Sequence, residues 1–254
     1  TLLGMGLFYI LIYWLNPLIW KMPTRLNELI ATGSAICGAS AIVVISPSID
    51  AEPEETSTSL LVITGVGLLA MMVYPILRSM LNLSDEMYAL LSGATLHQTG
   101  LVRAAMAQAI PALSESASSY GLAVKTLRIV MLAPVAIVSG LLHLRSRRRD
   151  HRVEAAASGR RQGHSWIRPL LRVWFLIPFV ILGLLTSFIP AVREFMANLK
   201  TLETVVFSSA LASVGFDIDI DSVLQAGVKP VLVAVISWLV VMLFFLFIAP
   251  LFIA

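Results

Sequence analysis

The stretch Leu29–Val44, LIATGSAICGASAIVV, decides the fold because it combines membrane-like apolarity with a centre built of small residues. Gly33, Cys37 and Ala41 are spaced four apart, which is typical of closely packed membrane helices. The same composition is also typical of a broken helix. Glycine adopts conformations that other residues avoid, and unwound backbone at membrane depth occurs only where protein or a water-filled cavity surrounds it. The stretch by itself leaves both interpretations open.

The composition of the whole chain places it in a bilayer. Of 254 residues, 58% are hydrophobic and 13% are charged, and the mean hydropathy is +0.88. Soluble domains are about a quarter charged, and several apolar runs here reach the roughly 20 residues that cross a membrane as a helix. Alternating segments of about 10 residues, typical of a membrane β-barrel, do not occur. We therefore expect an all-α polytopic membrane protein.

Apolar runs along the chain predict eight membrane-associated segments. The chain starts inside the first of them and without Met, so we expect a fragment that lacks N-terminal spans. The eight segments are Leu2–Trp20, Glu28–Ser46, Leu60–Met80, Met87–Gln108, Gly121–Leu144, Leu170–Ile189, Leu202–Phe216 and Pro230–Ala254.

The arginines concentrate in one loop. Arg145–Arg168 contains eight of them, and the positive-inside rule makes this loop cytoplasmic. Such a loop is typically a topology signal, so we expect no nucleic acid as a partner. The predicted location is the cell inner membrane, with multiple passes.

The order of the segments predicts an internal symmetry. A plain span, a small-residue segment and a second span occur within 1–80 and again within 170–254, in opposite orientations. That pattern is typical of an inverted repeat, whose interrupted segments mark the binding site. We expect 1–80 to end the first repeat, 81–144 to start the second, 145–169 to form the basic cytoplasmic loop, and 170–254 to end the second repeat.

Polar residues cluster in Leu91–Ala105, LSGATLHQTGLVRAA. His97, Gln98, Thr99 and Arg103 would lie within two turns of one helix, and polar groups at membrane depth are functional candidates. His97 could exchange a proton near neutral pH or only bond a neighbouring helix; we favour a role lining a cavity. Together with Cys37 it gives two intramembrane metal ligands, too few for a zinc site.

Two basic residues follow in the next segment. Lys125 and Arg128 are three apart and share one helical face. They would either extend their charged ends to the membrane interface or face a cavity and attract anions. No nucleophile–base pair, phosphate-binding loop or HExxH helix occurs, so the sequence indicates neither an enzyme nor a cofactor.

Several motifs resemble a known family. The quoted stretches are GSAICGASAI, SGATLHQTGLV, KTLRIVMLAPV and ALASVGFDIDIDSVLQAGVKPVLVAVISWLV. In this order they resemble the YeiH-type family, described as sulfate exporters and related to the bile-acid/sodium symporters and cation–proton antiporters. That resemblance implies an inverted-repeat transporter fold in which two discontinuous helices cross, here Glu28–Ser46 and Leu202–Phe216. Gln98 stands where the family has Asp or Glu, and Ser46 stands where it has Glu.

The expected function is a secondary transporter that moves a small anion, sulfate or a sulfonate, by alternating access. Expected partners are the anion, the lipid bilayer and a coupling ion (proton or sodium), and a homodimer stays open. Two alternatives remain: a cation- or proton-coupled carrier that uses Asp217 and Asp219, and a membrane scaffold or sensor that docks through Arg147–Arg149. The candidate substrate-binding residues are Gly33, Ser34, Cys37, Gly38, Ser40, His97, Thr99, Lys125, Arg128, Ser213 and Gly215.

Overall fold

The structure is a computed structural model, and all regular secondary structure in the part of the chain that it describes is helical. The described residues are 2–15, 21–132, 134–140, 142–143, 178, 181–182, 185, 189–199, 201–202, 205–206, 209 and 227–248. Ser213, Gly215 and the basic loop Arg145–Arg168 lie outside them, as does most of the predicted segment Leu202–Phe216.

Nine helices are described within these ranges. They are α1 Leu2–Leu15, α2 Thr24–Ala35, α3 Ala39–Ile45, α4 Pro53–Leu81, α5 Asp85–Thr95, α6 Thr99–Ala107, α7 Glu115–Val130, α8 Pro190–Asn198 and α9 Lys229–Ile248. A short 3-10 turn, Ser46–Ser48, follows α3.

Three helical stretches of the described chain are long and apolar enough to cross a membrane: Pro53–Leu81, Glu115–Gly140 and Lys229–Ile248. They overlap the spans predicted at 60–80, 121–144 and 230–254. Two shorter apolar helical stretches, Gly4–Tyr13 and Ala39–Ser48, accompany them. The prediction of a helical protein with several membrane spans is thereby confirmed.

Local sequence explains where the longest helix begins and ends. Glu52 precedes α4, and its backbone N–H donates to Glu55 Oε2 at 2.9 Å in a reciprocal capping box. Pro53 then occupies the first helical position, where its missing N–H costs nothing. At the other end Asn82 adopts the left-handed conformation with φ 48°, which closes the helix. Its 29 residues give a length of about 44 Å, enough to span a bilayer.

Serine caps start two further helices. The Ser84 hydroxyl accepts a hydrogen bond from the Met87 N–H at 3.3 Å and begins α5. Ser114 does the same for the Ala117 N–H and begins α7. Each cap satisfies an N–H that the first helical turn leaves without a partner.

Helix α5 packs against α7 with backbone atoms in close contact. A Cβ added to Gly93 would overlap the carbonyl oxygen of Gly121, and a Cβ added to Gly121 would lie 2.8 Å from the Ala89 oxygen. The two glycines therefore let the helix axes approach closely, as small residues do in membrane proteins.

The remaining long helices close the bundle. Helix α9 contacts α1, α2, α4 and α5, and its Trp238 meets Tyr74 of α4 edge-on at 6.3 Å between ring centroids. The opposite faces of α4 and α9 expose large apolar side chains, among them Met72 and Phe247. Exposed apolar faces on helices of this length match a lipid environment.

The chain leaves the helix at two points inside predicted membrane segments. Residues 36–38 separate α2 from α3, and residues 96–98 separate α5 from α6. The expectation that His97, Thr99 and Arg103 share one helix is therefore wrong. Thr99 begins a new helix, and His97 lies in the break before it.

Candidate functional site

The first break, Ile36–Gly38, depends on glycine. Gly38 has φ 71° and ψ −127°, a conformation that L side chains rarely adopt. Its N–H donates to the Gly33 oxygen at 2.9 Å, and its own oxygen accepts from the Ala41 N–H at 3.1 Å. The break thus ends one helix and starts the next within three residues.

The second break, Leu96–Gln98, lies directly against the first. A Cβ built on Gly38 would lie 2.7 Å from Gln98 Cγ and 3.2 Å from the His97 backbone oxygen. Beyond the break, the Gln98 oxygen accepts from Val102 N–H at 3.1 Å. We call the place where these two breaks meet the crossing, defined by residues 36–38 and 96–98.

Broken helices leave backbone carbonyls without their usual donors, and Arg128 of α7 supplies donors to five of them. Its Nη2 donates to the Ser34 oxygen at 2.6 Å and its Nε to the Ala35 oxygen at 3.0 Å. Its Nη1 donates to the oxygens of Gly93, Ala94 and Leu96 at 3.4, 2.7 and 3.1 Å. One guanidinium group therefore joins the end of α2 to the end of α5.

Lys125, one turn earlier on α7, donates hydrogen bonds to backbone oxygens inside the two breaks. Its Nζ donates to the oxygens of Ile36, Leu96 and His97 at 3.0, 2.8 and 2.6 Å. Like Arg128, the lysine is fully buried. Of the two alternatives that the sequence left open for these residues, the membrane interface does not apply, because both charged ends are buried at the crossing.

The crossing contains two cations whose hydrogen-bond acceptors among the described residues are all neutral carbonyls. The ion pairs found within the described residues join Arg25 to Glu52, Arg78 to Asp85, and His143 to Asp50. None of them reaches Lys125 or Arg128. A buried charge is costly unless it is paired, so the crossing has a positive charge that the described residues do not balance.

The imidazole ring of His97 lies beside these cations. The residue is fully buried, and neither ring nitrogen has a hydrogen-bond partner within the described part of the chain. Phe8 of α1 lies 6.1 Å away between ring centroids and also covers the Arg128 guanidinium, whose Cζ is 5.8 Å from the phenyl centroid. On the α4 side, a Cβ added to Gly67 would lie 3.7 Å from His97 Nδ1.

Further polar groups surround the crossing. The Ser34 hydroxyl is buried and unpartnered within the described chain. Gln98 Nε2 donates to the Thr64 hydroxyl at 3.0 Å, which fixes the side chain that stands where the resembling family has an acid. Tyr74 and Thr95 share a hydrogen bond between hydroxyl groups. The sequence analysis missed Thr64, although a hydroxyl residue inside an apolar helix is a usable signal.

The structure separates the other predicted site residues by role. Gly33 is a packing position, because a Cβ there would lie 2.9 Å from Ile42 Cδ1. Cys37 is buried within the first break, whereas Ser40 and Thr99 are half-buried in the first turns of α3 and α6. The predicted residues at the crossing are therefore Ser34, Cys37, Gly38, His97, Lys125 and Arg128, with Ser40 and Thr99 next to it.

A cavity of about 440 Å³ adjoins the first break. It is bounded by α1, by Ala35 and Ile36, and by the helical residues after α7, and its lining is almost entirely apolar apart from Tyr9 and Ser139. An apolar cavity does not suit an anion, so the crossing itself is the candidate site. No group of three or more metal-ligating side chains occurs among the described residues.

The long apolar helices and the polar crossing define a helical membrane protein with several spans. The family model for Conserved hypothetical protein 698 matches residues 1–234. The chain is 31% identical over 241 residues to a UPF0324 membrane protein of Archaeoglobus fulgidus, covering 94% of this chain and 64% of that protein. The chain therefore belongs to the UPF0324 family, and the resemblance to the YeiH-type family is confirmed.

Two bacterial relatives match the chain over a similar share of their length. A UPF0324 membrane protein of Yersinia pestis is 30% identical over 250 residues, covering 94% of this chain and 65% of the relative. The UPF0324 inner membrane protein YeiH of Escherichia coli K12 is 27% identical over 237 residues, covering 92% and 63%. The chain thus spans less than two thirds of the length of these relatives. The name of the Escherichia coli relative and the apolar helices confirm a multi-pass location in the inner membrane. No solved structure matches the chain.

Proposed function

We propose that this chain is part of a secondary transporter that moves a small anion, sulfate or a sulfonate, across the inner membrane by alternating access. The observation that carries the proposal is the pair of fully buried cations at the crossing, Lys125 and Arg128, whose acceptors are all neutral carbonyls. A bound anion would supply the missing negative charge, and a doubly charged anion would balance both groups.

The crossing also offers donors that an anion needs. Arg128 uses four of its five N–H groups on the carbonyls described above, so within the described chain one N–H at Nη2 remains for a ligand. His97 offers one ring N–H in its neutral form, and the Ser34 hydroxyl is unpartnered within the described chain. These groups adjoin the same two cations, because Ser34 and His97 each give a backbone oxygen to one of them.

The two breaks fit the architecture of carriers with interrupted membrane helices. In such carriers the binding site lies between two repeats, and one bundle rocks against the other to expose it on alternate sides. We propose an inverted-repeat fold with crossed discontinuous helices for the complete protein, in which 1–80 ends one repeat and 81–144 with 170–254 forms the other. Here the break at residues 96–98 meets the first break, and the predicted crossing of the first broken helix by Leu202–Phe216 stays a prediction, because most of that segment lies outside the described residues. The proposal involves no bond-breaking step.

Flux in proteoliposomes that contain the full-length protein tests the proposal. Uptake of labelled sulfate and of several sulfonates would be measured with and without a pH gradient, for the wild type and for His97→Ala. We expect saturable uptake that His97→Ala abolishes, because the substitution removes the free ring from the site.

Arg103→Ala is the matched control, since Arg103 is an exposed residue on α6. We expect it to leave uptake within the range of the wild type. No saturable uptake of any tested anion by folded protein would overturn the proposal. Equal uptake by the wild type and by His97→Ala would remove His97 from the site.

A further inference from the structure

The surroundings of Lys125 Nζ have the composition of a site for a small cation. The three oxygen atoms within hydrogen-bond distance are backbone carbonyls, Ile36 from the first break and Leu96 and His97 from the second. Carbonyl oxygens only accept hydrogen bonds, and an ammonium group has three N–H donors and no acceptor. The three carbonyl oxygens at 2.6–3.0 Å from Nζ therefore match the ammonium form, in which each of the three N–H groups donates to one oxygen.

Carbonyls of unwound segments and half-helix ends are the groups with which carriers of this architecture coordinate sodium. Rings of backbone carbonyls likewise replace the hydration shell of a monovalent cation in channel filters. Calcium sites instead draw on carboxylates, and none of the described carboxylates forms an ion pair with Lys125. The neutral oxygens around Nζ thus suit a single positive charge.

We propose that the Lys125 ammonium is a tethered cation that fills a sodium-type site at the crossing. The protein then keeps the two breaks together without a diffusible cation. Shortening the side chain would open the same three carbonyls to a small monovalent cation such as Na⁺, K⁺ or ammonium. This inference concerns the coordination of the breaks and holds whichever solute the complete protein moves.

The neighbouring arginine makes the proposal testable. Arg128 holds Ser34 and Ala35 of α2 and Ala94 of α5 through separate N–H groups. These contacts do not depend on Lys125, so the ends of α2 and α5 remain linked when the lysine is shortened. In Lys125→Ala the oxygens of Ile36 and His97 lose their donor, whereas the Leu96 oxygen keeps its hydrogen bond from Arg128 Nη1.

Thermal unfolding of the full-length protein in detergent provides the test. The wild type and Lys125→Ala would be heated in chloride salts of sodium, potassium, ammonium or choline at equal ionic strength. We expect the Tm of the wild type to be the same in all four salts. The Tm of the variant should be lowest in choline and should rise with the concentration of whichever small cation fits, because a ligand of the folded state alone raises stability.

Direct binding of labelled sodium gives a second readout that needs no transport. We expect saturable binding to Lys125→Ala and none to the wild type or to Arg103→Ala, which removes an exposed cation from α6. A sodium-dependent Tm of the wild type would overturn the proposal. So would a variant whose Tm is equal in choline and in the small cations, or a variant that is unfolded in every salt. An anion flux that proves absent would defeat the proposed function and leave these results unaffected.

Discussion

Gly38 lies close to His97 where the two breaks meet: a Cβ built on Gly38 would lie 3.2 Å from the His97 backbone oxygen. The same Cβ would lie 2.7 Å from Gln98 Cγ. Independently of this contact, Gly38 has φ 71° and ψ −127°, which a residue with a Cβ adopts only at a cost. The position thus requires glycine both for its backbone conformation and for the approach of the second break.

Gly38→Ala should therefore destabilise the protein. The backbone conformation alone costs about 1–3 kcal/mol for a residue with a side chain, and the contact with the second break adds to it. We expect a lower Tm for the full-length protein in detergent. Gly65→Ala is the control, because a Cβ at Gly65 on α4 meets nothing within 4 Å. Equal Tm values for the two variants would show that Gly38 tolerates a side chain.

Part of the fold could be predicted because the signals are local. The spans at Pro53–Leu81 and Lys229–Ile248 follow from runs of apolar residues, which is all that crossing a bilayer requires. The small residues in Leu29–Val44 indicated a break or close packing, and the structure contains both: a break at 36–38 and tight packing at Gly33.

The second break could not be predicted for a physical reason. Within Met87–Gln108 nothing in the local pattern ends a helix, and the donors that satisfy the carbonyls of Leu96 and His97 come from Lys125, which is 28 residues after His97. Spacing placed Lys125 and Arg128 on one face, but it could not show which helices that face meets. The sequence left both the membrane interface and a cavity open for these side chains, and only the tertiary contacts decide between them.

Arg128 should be the most sensitive position at the crossing. Arg128→Met removes the donors to Ser34, Ala35 and Ala94, and each buried carbonyl left without a partner costs about 1–3 kcal/mol. We expect little folded protein after purification. Arg128→Lys should recover part of it, since an ammonium has three N–H groups where the guanidinium has five.

The exposed Arg103 provides the control for Arg128. Arg103→Met removes the same charge from a surface of α6 and should leave the yield of folded protein, measured by size-exclusion chromatography, near that of the wild type. An Arg128→Met variant that elutes like the wild type would show that the carbonyls find other donors.

The close contact between α5 and α7 predicts that Gly121, like Gly38, does not tolerate a side chain. Gly121→Ala would place a Cβ 2.8 Å from the Ala89 oxygen and 2.9 Å from Met106 Sδ, and overpacking a tight contact costs about 1–3 kcal/mol. We expect a lower Tm than for Gly100→Ala, since a Cβ at Gly100 of α6 meets nothing within 4 Å. A Gly121→Ala variant as stable as Gly100→Ala would mean that the two helices separate at little cost.

The ion pair between Arg78 and Asp85 fixes the connection between α6 and α7. Arg78 Nη2 lies 2.7 Å from Asp85 Oδ1, and Arg78 Nη1 donates to the Pro111 oxygen at 2.8 Å. Asp85 Oδ2 accepts the Ser114 N–H at 2.9 Å. Arg78 is 5% exposed and the Asp85 side chain 30% exposed, so solvent screens the pair only in part.

Asp85→Asn should loosen this connection. The substitution keeps the shape of the side chain but removes the charge that balances Arg78, and a hydrogen bond to a charged group contributes about 1.5–3 kcal/mol. We expect a lower Tm and faster proteolysis within residues 108–114. Glu86→Gln is the matched control, because Glu86 is the next residue in the first turn of α5 and is exposed. Equal proteolysis of the two variants would show that the Ser114 and Pro111 contacts hold without the ion pair.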